Sequence, residues 1–303
     1  MTNFYWPVYI NLENEFNSVM FNIHIDDDQL NIYSSKISDL ILRACIEIES
    51  IVKFLVVRDI GPLKNYFKFD EDGLKDLNEI YFLDQKEILI SSVNCFQSER
   101  ILKPFSKSEQ RTMSQHLTYT WNNAYQNIKH DRASSLKFGS VKYLFDAMSA
   151  LYTLNIIFKN DIQFIGKQTD EARYFDFTQG SSIFSIKLSR NYGSEMSARI
   201  PHLKNGDKTA LFRTVPTFET WERSSLAMQE YNTMFNRLRA ELLQKKIEEG
   251  SLDITGKTPS EMIDLINNME IPEHIYQISA QNIPKFSDRI SKLEFEAIVL
   301  KRD

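Results

Sequence analysis

The sequence predicts a mainly helical protein with minor β structure, an α+β fold. Several stretches place apolar residues at the three- and four-residue steps of a buried helix face, most clearly between Ile37 and Leu55. Shorter stretches near both ends alternate apolar and polar residues, which is typical of strands. A length of 303 residues favours about two domains, and the change of pattern along the chain predicts three segments, 1–34, 35–159 and 160–303.

Composition and charge narrow the functional classes. The hydrophobic fraction of 42% and the charged fraction of 25% are those of an ordinary globular protein. A net charge of −5 and a pI near 5.7 give no general basic surface, so RNA or DNA binding must depend on a local patch or a second subunit. The N-terminus lacks a signal-peptide pattern and no apolar run reaches the ~20 residues of a membrane span, so we expect a cytoplasmic protein without membrane contact.

Cysteine, histidine and glycine usage argues against several kinds of site. Cys45 and Cys95 are the only cysteines, which excludes a disulfide framework and a four-cysteine zinc site. Cys45 lies in an apolar helical run, so we expect a buried free thiol. The histidines have no convincing metal spacing, and glycine-rich phosphate loops and a Gly-x-Ser-x-Gly motif are absent. The sequence therefore predicts no metal and no cofactor, and it disfavours ATP-driven and serine-hydrolase classes.

Residues 1–34 are expected to form a small β-hairpin. Strand-like residues occur in two runs, the first over 19–25 and the second over 30–33. The acidic triplet Asp26-Asp27-Asp28 separates the runs. Such a triplet can bind a cation, but a solvated turn between strands is the simpler interpretation.

The middle segment, 35–159, is predicted to be helical. Ser34 or Ser35 can cap its first long helix, and Gly61-Pro62 ends that helix. Two shorter elements are expected next, a helix and then a strand or buried turn: Leu74 to Tyr81 and Ile88 to Val93.

A further helix is expected to begin near Ser106, which has the capping-box spacing to Glu109, and to continue to about Ile128. One face of this helix would be polar, because five residues follow one another at three- and four-residue steps: His116, Thr120, Asn123, Asn127 and His130.

The polar face would end at a corner between two helices. Ser134 or Ser135 offers a new cap, and helical spacing then continues to about Phe158. Two helices joined by so short a link should pack antiparallel, with Lys129 to Arg132 at the corner between them.

The C-terminal segment, 160–303, is expected to mix helices and strands. Its predicted elements are a hairpin over 174–188, loops over 189–214, a helix over 218–248, a helix begun by the capping box of Thr258 and Glu261, and a closing strand over 293–299.

The residues at the corner suit RNA cleavage without a metal. A base must take the proton from the ribose 2′-hydroxyl, and a cation must stabilise the charge that builds up on phosphorus. His130 suits the first role, since an imidazole pKa of ~6.5 lies near the working pH. Arg132 suits the second, because guanidinium is permanently charged and fork-shaped. Asn127 would orient a phosphate or the imidazole, Lys129 would add positive charge, and Asp131 would fix the histidine tautomer.

Two parts of the middle segment carry a resemblance. The first long helix contains Ile46-Glu47-Ile48-Glu49 with Lys53, and the run from Trp121 to Arg132 precedes a Leu- and Ala-rich helix. In these features the chain resembles the HEPN superfamily over about residues 35–159. The resemblance implies a small helical bundle that commonly dimerises. Many members are metal-independent ribonucleases in toxin–antitoxin, abortive-infection or CRISPR-type defence, and two copies of the corner would meet in one composite site.

The signature of that family can be placed in two ways. It consists of an arginine, usually followed by a polar residue, and a histidine four to six positions after the arginine. Before His130 that window holds no arginine, and Arg132 follows instead. Arg111 and His116 match the spacing literally. The corner is preferred because it joins two helices and gathers charges, and the Arg111/His116 pair stays open as the alternative site.

Two functions follow from these patterns. In the first, the chain is a HEPN-like metal-independent endoribonuclease, a toxin or abortive-infection effector that cleaves RNA. It would form a homodimer through the helical segment, with a C-terminal segment that regulates it or binds a protein partner or trigger. In the second, it is a catalytically inactive HEPN-type module that binds protein or RNA, and His130 only stabilises a helix end.

Overall fold

The computed structural model describes most of the chain. The described residues are 4–91, 96, 98–111, 116–167, 174–189, 207–252, 255–258, 260–261, 264, 277–278, 281–282 and 293–302. Within them the protein is mostly helical with several small sheets, which confirms the predicted α+β class. No helix in these ranges has the length and apolarity needed to cross a membrane.

The described residues form these helices: α1 (Tyr5–Asn22), α2 (Ser35–Asp59), α3 (Leu74–Tyr81), α4 (Thr120–His130), α5 (Val141–Lys159) and α6 (Phe218–Glu248). They form these strands: β1 (Ile88–Ile90), β2 (Arg100–Leu102), β3 (Lys107–Gln110), β4 (Leu117–Tyr119), β5 (Gln163–Gly166), β6 (Phe184–Ile186), β7 (Leu188–Ser189), β8 (Phe212–Pro216) and β9 (Phe295–Val299).

Four helices build the core. α2 and α5 share the most extensive contact, and α1 and α4 each pack against both of them. Leu40, Ile48 and Leu55 on α2 are completely buried, as is Leu144 on α5. Burial of apolar surface is the main favourable term in folding, so this contact supplies much of the stability of the bundle.

The described residues also form three small sheets. β1 lies between β2 and β6 and is antiparallel to both. β3 and β4 form a separate antiparallel pair. The third sheet has the order β5-β9-β8-β7, with β7 parallel to β8.

The chain divides into two compact units. The first contains α1 to α5 and comprises Met1–Tyr192, Ile200–Val215 and Glu296–Asp303, and the second contains α6 and comprises Gly193–Arg199 and Pro216–Phe295. The division of the chain into the segments 1–34, 35–159 and 160–303 stays a prediction.

The predicted N-terminal hairpin is wrong, since the first element is α1. Its buried residues Tyr9, Leu12, Phe16 and Val19 recur at three- and four-residue steps, and this helical stripe begins before the run that looked strand-like. The acidic triplet does form a turn: the amides of Asp28 and Gln29 donate to Oδ1 of Asp26 at 2.9 and 3.1 Å.

The helix predicted from Ser106 is also wrong in its first half. Lys107–Gln110 and Leu117–Tyr119 are strands, and α4 begins only at Thr120. Glu109 does not cap a helix, because its carboxylate accepts from Asn123 at 3.1 Å and from the side chains of Lys142 and Tyr143 at 3.0 and 3.2 Å. These tertiary bonds override the local capping signal. His116 therefore lies outside the helix, and residues 112–115 lie outside the described ranges.

Three further predictions need correction. The residue that precedes α5 is Ser140, not Ser134 or Ser135. The hairpin over 174–188 does not form, because β6 pairs with β1 and β7 pairs with β8. β8 also occupies the end of the region predicted as loops over 189–214, of which 190–206 lie outside the described ranges.

Elements with strong local signals are confirmed. Ser34 caps α2 through the Ile37 amide at 3.1 Å. α3 and α6 have the predicted bounds, and β9 alternates buried and half-buried residues. Thr258 and Glu261 form the reciprocal bonds of a capping box. Cys45 is buried as predicted, and Cys95 lies outside the described residues.

The α2–α5 contact gives a direct stability test. Replacing the completely buried Ile48 by alanine should lower the free energy of unfolding by about 2–5 kcal/mol, because the side chain leaves a cavity. Ile46, on the same helix, is 55% exposed, and Ile46→Ala should change stability by less than about 0.5 kcal/mol. Urea unfolding followed by circular dichroism measures both, and equal losses would contradict the packing described.

Candidate functional site

α4 is fixed to the bundle through its apolar face. Its buried face includes Trp121, Ala124 and Ile128, and it packs against α2 and α5. The indole N–H of Trp121 donates to the carbonyl oxygen of Pro104 at 2.8 Å, and the ring stacks on Tyr119 with 5.6 Å between centroids. The opposite face of α4 is therefore presented in a fixed orientation.

This opposite face borders a cleft of about 620 Å³ in the first unit. The side chains around the cleft are predominantly polar: Lys68, Asp70, Glu71, Arg111, Thr118, Asn122, Asn123, Gln126, Asn127, His130, Asp131, Ser134 and Ser135. Two cations and three carboxylates are among them, so the cleft is polar without being strongly basic.

The cleft brings together three of the five residues predicted at the corner. Asn127, His130 and Asp131 line it. Arg132 does not, because its guanidinium donates to the carbonyl oxygen of Ser35 at 3.0 Å and pairs with Asp39 at 2.8 Å. The role of phosphate clamp predicted for Arg132 therefore does not fit its position.

Lys129 is also turned away from the cleft. Its ammonium group lies 5.2 Å from the centroid of the Tyr125 ring, in cation–π geometry. Lys129 is not among the cleft-lining residues, so its predicted contribution of positive charge would have to act at a distance.

Asp131 lines the cleft, but its carboxylate accepts hydrogen bonds from the turn that follows α4. Its carboxylate accepts from the Ser134 amide at 3.2 Å and from the Ser134 hydroxyl. These bonds lower the pKa of Asp131, because they favour the ionised form. Among the described residues the partner of Asp131 is thus Ser134, and the predicted bond to the imidazole of His130 is absent.

Arg111 is the cation that sequence reasoning did not join to His130. It follows β3 and lines the cleft, where its guanidinium donates to Oδ2 of Asp70 at 2.9 Å and lies 3.3 Å from Glu71. The only signal that marked Arg111 was the family-type spacing to His116. His116 itself is exposed, and its carbonyl oxygen accepts from the Arg111 amide at 3.1 Å, but it is not a cleft-lining residue.

Lys68 is the second cation of the cleft. It pairs with Glu71 at 2.9 Å. The bond from Lys68 lowers the pKa of Glu71, and the bond to Glu71 raises the pKa of Lys68. Both cations of the cleft are therefore already paired with carboxylates.

Comparison with known proteins yields no match: no protein-family model fits the sequence, and neither a curated protein nor a solved structure is significantly similar to the chain. Within the described residues, no three His, Cys, Asp or Glu side chains cluster so that they could hold a metal ion. A functional assignment must therefore be argued from the cleft itself.

A half-buried carboxyl group on α5, that of Asp146, forms a hydrogen bond with Thr120 at the start of α4. Burial raises the pKa of Asp146, on α5, from its ordinary value of 3.8 to about 6. A hydrogen bond with Thr120 and the positive charges of Lys142 and Arg100 oppose this shift, while the negative charge of Glu109 adds to it.

This raised pKa predicts a pH-dependent stability. The folded protein binds the Asp146 proton more tightly than the unfolded chain does, so the contribution is complete below 3.8 and is lost as pH rises through about 6. Asp146→Asn should therefore gain stability relative to wild type as pH rises, by up to about 3 kcal/mol above pH ~7. Urea unfolding of both proteins across this range measures the difference, and a pH-independent difference would contradict the assignment.

Proposed function

We propose that this chain is a HEPN-like, metal-independent endoribonuclease whose site is the cleft beside α4. The observation that carries the proposal is that His130 and Arg111 line the same cleft, a proton-transfer group together with a fork-shaped cation. Arg111 takes the role that sequence reasoning gave to Arg132.

The chemistry requires one proton acceptor and one stabilising cation. His130 removes the proton from the ribose 2′-hydroxyl, and the oxygen attacks the adjacent phosphorus. Negative charge then builds up on the phosphoryl oxygens, which Arg111 stabilises, with Lys68 as a second cation. The bond from phosphorus to the 5′-oxygen breaks, that oxygen takes up a proton from water or from the imidazolium of a second copy, and a 2′,3′-cyclic phosphate remains.

The assembly and cellular role belong to the same proposal. Each cleft contains one histidine, so a homodimer that joins two clefts would supply one imidazole as base and another as acid. A toxin or antiviral effector in the cytoplasm suits an enzyme of this type, and the C-terminal segment would hold the trigger or protein partner. These assignments depend on the HEPN resemblance.

A second function is favoured by the ion pairs in the cleft. Arg111 is bound to Asp70 and Glu71, and Lys68 is bound to Glu71. A site whose cations stay committed to carboxylates would bind a polar partner without cleaving RNA. On this alternative the chain is a catalytically inactive HEPN-type module for protein or RNA binding.

Cleavage of a mixed RNA pool in EDTA tests the proposal. Wild type should cleave, and His130→Ala should lower the rate by about a hundredfold or more, the usual contribution of a general base. Arg111→Ala should cause a loss of similar size, since it removes the cation beside the reacting phosphate. Gel electrophoresis of end-labelled RNA gives the rates.

Matched variants outside the cleft serve as controls. Arg132→Ala removes an arginine that faces α2, and His116→Ala removes an exposed histidine, so both should retain the wild-type rate. Circular dichroism checks that each variant is folded. Loss of cleavage with Arg132→Ala and not with Arg111→Ala would return the clamp role to Arg132. RNA binding without cleavage by wild type would favour the second function.

A further inference from the structure

Four amide side chains of α4 line the cleft: Asn122, Asn123, Gln126 and Asn127. Their orientation follows from their neighbours, because carboxylates and backbone carbonyls only accept hydrogen bonds. An amide that bonds such a group must turn its nitrogen toward it and its oxygen away.

Two carboxylates fix the first pair of amides. The nitrogen of Asn122 donates to Oδ2 of Asp70 at 2.8 Å, and the nitrogen of Asn123 donates to Oε2 of Glu109 at 3.1 Å. The side-chain oxygens of both residues therefore point away from these carboxylates and can accept hydrogen bonds from other groups.

The next helical turn repeats this arrangement. The nitrogen of Asn127 donates to the backbone carbonyl of Asn123 at 2.8 Å and to its side-chain oxygen at 3.2 Å. The nitrogen of Gln126 approaches the side-chain oxygen of Asn122 at 3.5 Å, a long contact. Within the described parts of the chain, the side-chain oxygens of Gln126 and Asn127 accept no hydrogen bond. Gln126 and Asn127 thus offer two acceptor oxygens here, beside the second N–H of the Gln126 amide.

A row of acceptors selects ligands by their donors. An N–H group can satisfy the amide oxygens, whereas a carbonyl oxygen leaves them desolvated and unpaired, at a cost in free energy. Nucleobases differ in this respect at two neighbouring atoms: the ring nitrogen beside the exocyclic group donates one N–H in uracil and hypoxanthine and accepts in cytosine and adenine, whereas the exocyclic amino group of cytosine and adenine donates two N–H groups to two neighbouring acceptors. Cytosine and adenine carry an amino group where uracil and hypoxanthine carry a carbonyl oxygen.

We infer that the amide face of α4 reads a nucleobase, and that the cleft prefers RNA in which this base carries an exocyclic amino group over RNA with uracil there. The inference rests on the proposed ribonuclease function, because it names the RNA that the same cleft takes. Gln126 and Asn127 are the specificity-determining residues, while Arg111 and Lys68 serve the phosphate.

Binding of uncleavable RNA tests this preference independently of catalysis. Oligocytidine and oligouridine of equal length, each with 2′-O-methyl riboses and a fluorescent label, are titrated with the full-length wild-type protein. Oligocytidine should bind about tenfold more tightly, the discrimination expected of one good amide–base interaction. Oligoadenosine should exceed oligoinosine in the same way, since that pair differs by the same replacement.

Paired variants assign the preference to the amide oxygens. Gln126→Met with Asn127→Leu removes both acceptors at similar volume and should bring the cytidine-to-uridine ratio to within about twofold. Gln126→Glu keeps an acceptor at its position and should preserve the preference, even if its charge weakens both affinities. Using the ratio as readout removes effects that are common to both ligands, and circular dichroism verifies folding of the double variant.

Several outcomes would overturn the inference. These are equal affinities for the two oligonucleotides, no binding of either, or an unchanged ratio in the double variant. Failure of the proposed function has a different signature, because wild type would then retain the base preference on methylated RNA while leaving unmethylated RNA uncleaved.

Discussion

The contact between α2 and α5 is the constraint on which the first unit depends. Both helices bury long apolar faces against each other, and α1 and α4 pack against the pair. α4 has only eleven residues, too few to be stable as an isolated helix. Its position therefore comes from packing, above all from Trp121, which is completely buried and bonded to Pro104. Because the apolar face is fixed in this way, the amides and His130 on the other face keep a defined relation to the π-helical turn Phe69–Gly73, which carries Asp70.

The sequence predicted those elements whose signals are local. α2 and α6 combine a clear periodicity with a capping side chain, and β9 alternates as a strand does. The helix predicted before α4 does not form, because contacts distant in sequence oppose the local signal. Glu109 has the spacing of a capping residue, yet three side chains distant in sequence use its carboxylate, and the chain there forms β3. α1 was not predicted because the residues after Val19 alternate as in a strand, although a helical stripe precedes them.

The same distinction explains which site residues could be foreseen. Asn127, His130 and Asp131 are close in sequence on one helix end, so their proximity needed only the helical period. Arg111 joins them through the β3–β4 pair, and its distance from His130 along the chain carries no recognisable spacing. The orientation of the Arg132 side chain could not be predicted from the sequence either. It depends on Asp39 and the Ser35 carbonyl, which the packing of α2 brings near.

The ion pair of Arg111 determines how the cleft can work. Arg111 is 37% exposed and Asp70 is 12% exposed, and pairs that water reaches contribute up to about 1 kcal/mol. A phosphodiester offers guanidinium two oxygens in a bidentate arrangement, which is stronger than a single N–H···O contact. Asp70 would not lose every partner on exchange, because Asn122 still donates to it at 2.8 Å. On the proposed function, the carboxylates would hold Arg111 in place without preventing it from binding phosphate, and the same Asp70 would keep the amide of Asn122 oriented during the exchange.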